Sequence, residues 1–181
     1  VPLLFAHRSG KAVAAVHAGW RGTVANIAAQ MVERFKKAGF KSQDLVVSMG
    51  PAIGPCCFEV GSDVQAAIFE AFPSANLSVQ TSNGQSFVNL WELNRIGLEQ
   101  AGIVPSQIDV VEQCTFCGSE FFSYRRENGR KVSDARLALD PSDEAAADIA
   151  LVDEALTDGQ QRLARRGGDK ALAVARHKRL A

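Results

Sequence analysis

Short apolar runs near the start of the chain predict two strands joined by a tight turn. Residues 3–6 and 12–16 are apolar, and the polar segment 7–11 between them contains Gly10. Apolar runs of this length on either side of a short Gly-containing segment are typical of a β-hairpin. We therefore expect a hairpin over residues 3–16.

Longer segments carry apolar residues at the spacing of an α-helix. In the first of them, residues 23–38, Met31, Val32 and Phe35 share one face. This periodicity predicts an amphipathic helix that ends near Gly39, and the same reasoning predicts helices over 62–72 and 89–101. Further strands are expected over 45–49, 108–111 and 121–126, and a polar connection over 73–86. The order of elements predicts an α/β or α+β fold, a single domain with a mixed β-sheet core and flanking helices.

The last fifty residues have a different character and predict a helical C-terminal extension. Pro-Ser-Asp-Glu at 141–144 is typical of a helix start, and the helical period then continues to Arg166. Gly167 and Gly168 interrupt it, and a second, basic helix is expected over 169–180. That basic segment lacks interleaved aromatic residues, so a solvated helix face is a better interpretation than nucleic-acid binding.

Composition narrows the class of protein. The 181 residues are 46% hydrophobic and 22% charged with a formal net charge of +0, so no overall field favours nucleic acid or an anionic membrane. No apolar run is long enough to span a bilayer, and no secretory leader pattern is present. We therefore expect a cytoplasmic protein whose four cysteines are free thiols.

The first candidate site lies where the second predicted strand meets the first helix. His17 ends the strand, two glycines follow, and Arg21 lies between them. Backbone amides after Gly19 and the Arg21 guanidinium suit an anion. A hydrogen-bonded structural role for His17 and a packing role for Trp20 are the alternative interpretation.

The cysteines are the second candidate. Cys114-x-x-Cys117 has the spacing of a zinc knuckle or a redox motif. A four-cysteine site with Cys56 and Cys57 is not expected, because adjacent residues of an extended chain point to opposite sides. A nucleophilic pair of His17 with Cys57 or Cys114 stays open.

Three segments together resemble the YfiH-like laccase-domain family. They are His-Ala-Gly-Trp-Arg-Gly at 17–22, Gly-Pro-Ala-Ile-Gly-Pro-Cys-Cys-Phe-Glu-Val-Gly at 50–61, and Cys-Thr at 114–115 followed by Phe-Phe-Ser-Tyr-Arg-Arg at 121–126. The resemblance extends over residues 1–130 and implies a catalytic domain, with residues 131–181 as an extension of unknown role. It implies zinc-dependent phosphorolysis of adenosine, inosine and methylthioadenosine, with deamination of adenosine, on a purine nucleoside and phosphate.

The resemblance also implies roles for individual residues. His17 matches a metal-ligand position, whereas the family's cysteine ligand falls immediately before Val1 and a second histidine lies further upstream, so we expect both outside this chain. The catalytic residues implied by position in the motifs are Arg21, Cys57, Glu59, Cys114 and Arg125, and the implied substrate-binding residues are Gly19, Phe58, Tyr124 and Arg126.

Two other functions are weighed against this one. A truncated, inactive family member would act as a binding module, and it would carry no stoichiometric zinc. A copper-dependent polyphenol oxidase follows from the older family name, but copper oxidases use several histidines in each site, and the chain has three histidines in all.

Overall fold

A computed structural model describes residues 1–127 and 149–151 and confirms the mixed α/β fold. In this part of the chain, eight strands form a five-stranded and a three-stranded sheet, flanked by four α-helices. The strands are β1 Pro2–His7, β2 Ala12–His17, β3 Leu45–Met49, β4 Glu59–Val60, β5 Val79–Ser82, β6 Gln85–Val88, β7 Ile108–Val110 and β8 Ile149–Leu151. The helices are α1 Trp20–Val24, α2 Ile27–Lys37, α3 Ser62–Ala71 and α4 Leu90–Gln100.

The larger sheet has the strand order β7-β3-β1-β2-β8. Central strand β1 pairs antiparallel with β2 on one side and β3 on the other, with Leu3 opposite Val16 and Met49. Strand β7 runs parallel to β3, so the sheet is mixed as predicted. Leu3 and Phe5 are buried and alternate with more exposed neighbours, which places one face of β1 on the core.

Helices α2 and α4 cover the core. Met31, Val32 and Phe35 on α2 are fully buried, and the Phe35 ring centroid lies 6.1 Å from that of Phe5 on the sheet. Helix α4 begins as predicted after Asn89, whose side chain accepts a hydrogen bond from the Glu92 amide at 3.1 Å. An asparagine in this position satisfies one of the amides that a helix start leaves unpaired.

The single helix predicted over 23–38 is wrong, because the chain breaks at Asn26. Helix α1 ends at Val24, Asn26 takes a left-handed conformation with φ of 53°, and α2 starts at Ile27. The Asn26 side chain then caps α2 by accepting from the Ala29 amide at 3.4 Å. The apolar period runs through the break, so periodicity alone does not reveal it.

The polar connection expected over 73–86 is also wrong, since it contains most of a hairpin. Strands β5 and β6 pair antiparallel around Asn83 and Gly84, which have φ of 51° and 77°. Positive φ at both central residues is the requirement of a type I′ hairpin turn, and Asn-Gly satisfies it.

The structure differs from two predictions for residues near the end of the described part of the chain. Residues 121–126 form bends and a turn instead of the expected strand, with the Glu127 amide donating to the Ser123 carbonyl at 2.9 Å. In the expected helical extension, Ile149–Leu151 is strand β8, which pairs with β2. The other residues of that extension lie outside the described ones. In the described part of the chain, every helix is too short or too polar to cross a membrane.

Candidate functional site

His17 lies at the last position of β2, beside the start of β1. The backbones of Val1 and Ala18 exchange two hydrogen bonds of 2.9 and 2.8 Å, which close the β1–β2 ladder next to it. Burial lowers the pKa of His17 to about 4. The imidazole is therefore neutral near pH 7, the form in which histidine ligates metals.

Gly19 leaves space for the His17 imidazole. A Cβ at Gly19 would lie 3.3 Å from Nε2 of His17, tighter than an ordinary contact. The absence of a side chain at this position thus lets the ring lie against the turn. The structure places the His17 ring against Gly19, and the metal-binding and substrate-binding roles expected for these two residues stay predictions.

Arg21 is exposed at the start of α1, where its guanidinium carbon lies 4.4 Å from the centroid of the Trp20 ring. A guanidinium over an indole face is favourable and restricts the arginine side chain. Helix α1 has five residues, and the Thr23 amide already donates to the Gly19 carbonyl at 2.8 Å. Anion binding by the amides after Gly19 stays a prediction.

Helix α1 is anchored from behind by α4. The buried side chain of Asn94 donates to Thr23 Oγ1 at 2.9 Å and to the Leu90 carbonyl at 2.8 Å. Thr23 in turn donates to the Ala18 carbonyl at 3.5 Å. This chain of hydrogen bonds fixes the turn that carries His17 and Arg21.

A second group forms around the end of the Gly/Pro-rich segment. The Arg125 guanidinium donates to the Glu59 carbonyl at 3.3 and 3.4 Å, and its carbon lies 5.5 Å from the centroid of the buried Phe58 ring. The Glu59 carboxylate is exposed and accepts from Gln85 at 2.9 Å. Phe58, Glu59 and Arg125, which the family resemblance selects, are therefore in contact.

Tyr124 and Arg126 lie on the same turn with different surroundings. Tyr124 is 56% exposed. The Arg126 guanidinium donates to the carbonyls of Thr115, Gly118 and Phe121 at 2.5–2.6 Å. These hydrogen bonds hold the Arg126 guanidinium against the backbone of residues 115–121. Its role in substrate binding stays a prediction.

The prediction that the four cysteines do not form one site is wrong. The sulfurs of Cys56, Cys57, Cys114 and Cys117 all lie within 4.8 Å of one another. Cys117 Sγ lies 3.5 Å from that of Cys56 and 3.3 Å from that of Cys57. The expectation failed because residues 54–57 form a turn instead of an extended strand, with the Cys57 amide donating to the Gly54 carbonyl at 3.0 Å.

The two segments that supply the thiols, residues 50–58 and 111–118, are called the cysteine loops. Backbone hydrogen bonds join them, from Ala52 to the Gln113 carbonyl at 3.2 Å and from Thr115 to the Ala52 carbonyl at 2.9 Å. Trp91 on α4 donates its indole N–H to the Gly50 carbonyl at 3.0 Å, a contact that no sequence motif indicates. The cysteine loops therefore have a fixed relative position.

The electrostatics of the four thiols differ. Burial opposes ionisation of Cys114, but hydrogen bonds from the amides of Gly54, Cys117 and Phe116 outweigh it and lower its pKa to about 6. Partial burial and the hydrogen bond with Cys117 raise the pKa of Cys57. Opposite pKa shifts at Cys57 and Cys114 are expected when two thiols that could both ionise lie close together.

The cysteine cluster and His17 are the two candidate sources of metal ligands. The cysteine cluster offers four soft ligands at a spacing that can hold a metal ion. His17 belongs to no group of three or more ligand side chains among residues 1–127 and 149–151. A catalytic zinc takes three protein ligands, so the described residues do not complete a metal site at His17.

Comparison with known proteins gives one family. Residues 1–137 match the family model described as multi-copper polyphenol oxidoreductase laccase. "Purine nucleoside phosphorylase YlmD" of Geobacillus stearothermophilus is 40% identical over 133 residues, covering 71% of this chain and 48% of the relative. "Purine nucleoside phosphorylase YfiH" of Escherichia coli K12 is 35% identical over 136 residues, covering 74% and 54%.

The solved structures agree with the sequence matches. The crystal structure of YlmD from Geobacillus stearothermophilus superposes with a TM-score of 0.67 at 40% identity, and that of Bacillus licheniformis hypothetical protein YfiH with 0.65 at 38%. Each covers 71% of this chain and 49% of the solved one. The chain spans about half the length of the curated relatives it matches.

Proposed function

The chain belongs to the family described as multi-copper polyphenol oxidoreductase laccase, and from that membership we propose that it forms part of a purine nucleoside phosphorylase. The proposal rests on the relatives at 35–40% identity, which are named purine nucleoside phosphorylases. The proposed substrates are adenosine, inosine and methylthioadenosine with phosphate, and deamination of adenosine is a proposed second activity. The proposed compartment is the cytoplasm, which suits four free thiols.

Phosphorolysis defines what the site must do. A phosphate oxygen bonds to C1′ of the ribose while the bond from C1′ to N9 of the purine breaks, giving a sugar phosphate and a free base. The site must hold the phosphate, orient the ribose and stabilise the charge that develops on the departing base. Cationic donors meet the first requirement, and a carboxylate with an aromatic surface meets the others.

In the proposal, Arg21 binds phosphate. Its guanidinium is exposed, and the contact with Trp20 restricts it before phosphate arrives. A guanidinium recognises two phosphate oxygens at once, which fixes the direction of attack. His17 beside it is neutral and accepts or donates a hydrogen bond at the ribose side.

The group around Phe58 binds the nucleoside. Arg125 is held against Phe58 and the Glu59 backbone. One oxygen of the exposed Glu59 carboxylate accepts from Gln85, and in the proposal the other accepts hydrogen bonds from substrate N–H or O–H groups. Tyr124, exposed on the adjoining turn, offers a ring on which a purine stacks. Cys57, which precedes Phe58 in the chain, and Cys114 belong to the cysteine loops.

Zinc is the proposed metal, and copper is the weaker candidate. Thiolate and imidazole both suit zinc, whereas copper oxidase sites need clustered histidines, and His7 and His17 of this chain belong to no ligand group in the described residues. Because His17 supplies one ligand where a catalytic zinc takes three, no step of the proposed reaction is assigned to a metal there.

The proposal is tested by phosphate-dependent release of hypoxanthine from inosine. Arg21→Ala is expected to reduce kcat/KM by roughly 10- to 100-fold, because a charge-assisted hydrogen bond contributes about 1.5–3 kcal/mol. Lys41→Ala, an exposed lysine outside the candidate site, is the matched control and should leave the rate unchanged.

Binding provides a second readout. Isothermal titration calorimetry with phosphate and with inosine measures the two half-sites separately, so a binding module is distinguished from an enzyme by binding without turnover. A protein that neither releases hypoxanthine nor binds either ligand would refute the proposed function.

A further inference from the structure

The four-cysteine cluster lies in two loops that the backbone already holds together. Ala52 forms a parallel β-bridge with Cys114, and the Gly54 amide donates to Cys114 Sγ at 3.2 Å. No thiol contact is needed to bring the cysteine loops to each other, since backbone hydrogen bonds do so. The ligands of a metal would therefore be ordered by the fold before the metal binds.

Each loop presents its two thiols from a turn. In the second loop, the Gly118 amide donates to the Cys114 carbonyl at 3.2 Å, so Cys114-x-x-Cys117 wraps a single turn. In the first loop, the amides of Cys57 and Phe58 both donate to the Gly54 carbonyl, at 3.0 and 2.9 Å. The first turn allows two adjacent cysteines to face one point, which an extended chain would prevent.

The space at the cluster is closed on the side of the protein. A Cβ at Gly54 would lie 3.2 Å from Cys114 Cβ, 3.4 Å from Cys56 Sγ and 3.4 Å from the Trp91 ring. A side chain at position 54 would therefore crowd Cys114, and glycine allows the backbone to approach the cluster closely. A site with four protein ligands and no open position has the properties of a structural metal site.

The sulfur spacing fits one metal ion. A zinc ion bound tetrahedrally at ~2.3 Å from each sulfur requires sulfurs ~3.8 Å apart. The sulfurs here lie within 4.8 Å of one another, with two separations of 3.3 and 3.5 Å. Small side-chain rotations are enough to reach the tetrahedral arrangement.

A positively charged side chain, Arg126, lies next to the second cysteine loop. Four thiolates around a divalent cation leave a net negative charge, and Arg126 lies beside the second loop, donating to the carbonyls of Thr115 and Gly118. Outer groups of this kind hold ligand loops in position and offset the charge of the metal centre. Arg126 holds the second loop in position through these hydrogen bonds, while its Nε pairs with Glu127 at 3.2 Å.

We propose that Cys56, Cys57, Cys114 and Cys117 bind one zinc ion in a closed structural site that fastens the two cysteine loops to each other. The site is separate from His17 and does not rest on the proposed enzymatic activity. Its role is positional, because Phe58 ends the first loop, Glu59 follows it directly, and Arg126 fixes the turn that carries Tyr124 and Arg125.

Metal content tests the proposal directly. Elemental analysis of the purified protein should give one zinc per chain, and a mercurial that titrates the thiols should release it to a colorimetric zinc indicator. Cys117→Ser should lose the zinc, whereas His17→Ala should retain it. Circular dichroism of Cys117→Ser reports whether the sheets and helices persist in the variant. Circular dichroism of the unmodified protein during titration with a chelator reports whether they persist when zinc is removed without a substitution.

Cobalt substitution identifies the ligands. Cobalt in a tetrahedral four-thiolate site gives sulfur-to-metal charge transfer and intense visible bands, and these should appear in the unmodified protein and in His17→Ala. Iron in place of zinc, a disulfide found by mass spectrometry, or four thiols that react freely without releasing metal would each overturn the proposal. Zinc that is lost from His17→Ala but kept by Cys117→Ser would do the same.

Discussion

Two regions of this molecule are held together in different ways. The body, strands β1–β3 with helices α2 and α4, is held by apolar burial, with Leu3, Phe5, Phe35 and Leu93 at most 2% exposed. The cysteine loops and the turn after them have few buried apolar side chains and are held by backbone hydrogen bonds between the loops and by hydrogen bonds from Arg126, with four sulfurs close together. The predicted substrate-binding residues lie mostly at or beside the second region, so their geometry depends on polar and sulfur contacts.

The largest expected effect comes from opening the core of the body. Phe35→Ala should lower the free energy of unfolding by about 3–5 kcal/mol, because the ring is fully buried against Phe5 and Phe40. Urea denaturation measures the loss. Leu77→Ala, at a side chain 87% exposed, should change it by less than about 0.5 kcal/mol.

Removing the guanidinium of Arg126 should affect the other region. Arg126→Met leaves the carbonyls of Thr115, Gly118 and Phe121 without a donor, which should cost about 2 kcal/mol of local stability. Hydrogen exchange is expected to accelerate over residues 114–127 while protection in β1–β3 stays unchanged. Arg125→Met, which removes two longer hydrogen bonds, should have a smaller effect, and equal acceleration in the sheet would contradict the division into two regions.

The smallest effect tests how closely α4 approaches the break between α1 and α2. A Cβ at Gly97 would overlap the Asn26 side-chain oxygen. Gly97→Ala should therefore destabilise by about 1 kcal/mol net, since overpacking costs about 1–3 kcal/mol and alanine regains about 1 kcal/mol of helix propensity.

A double-mutant cycle isolates that contact. In an Asn26→Gly background, which keeps the left-handed conformation and removes the oxygen, Gly97→Ala should be neutral or stabilising. Stabilisation by Gly97→Ala in the unmodified chain would contradict the predicted close packing.

Predictions from sequence were most successful where one face of an element is buried. Strands β1, β2, β3 and β7 and helices α3 and α4 occur where apolar pattern and capping residues place them, within two residues at each end. The hairpin of β5 and β6 was missed because β5 is largely polar and exposed and the apolar part of β6 is only Phe87 and Val88, although Asn83-Gly84 is a strong turn signal.

The residues of the candidate site were selected from sequence motifs, and their catalytic and binding roles stay predictions. The family motifs select Phe58, Glu59 and Arg125, but they do not show that these residues are in contact. The contact joins two segments that are distant in the chain, and local sequence patterns carry no information about it. The cysteine cluster was rejected on the geometry of an extended chain, and the turn at Gly54 removes that objection. Cys114-x-x-Cys117-Gly118 was the available signal, since a two-residue gap suits a metal-binding turn.

The parallel pairing of β3 with β7 has a consequence for biosynthesis. Paired positions in these strands, such as Ser48 and Asp109, are 61 residues apart in the chain. At ribosomal rates of roughly 5–20 residues per second, β3 emerges about 3–12 s before its partner and exposes an unpaired backbone edge for that time. The nascent chain therefore passes through a stage at which strand addition by another chain competes with its own folding, and co-translational chaperones that cover strand edges would act during this interval.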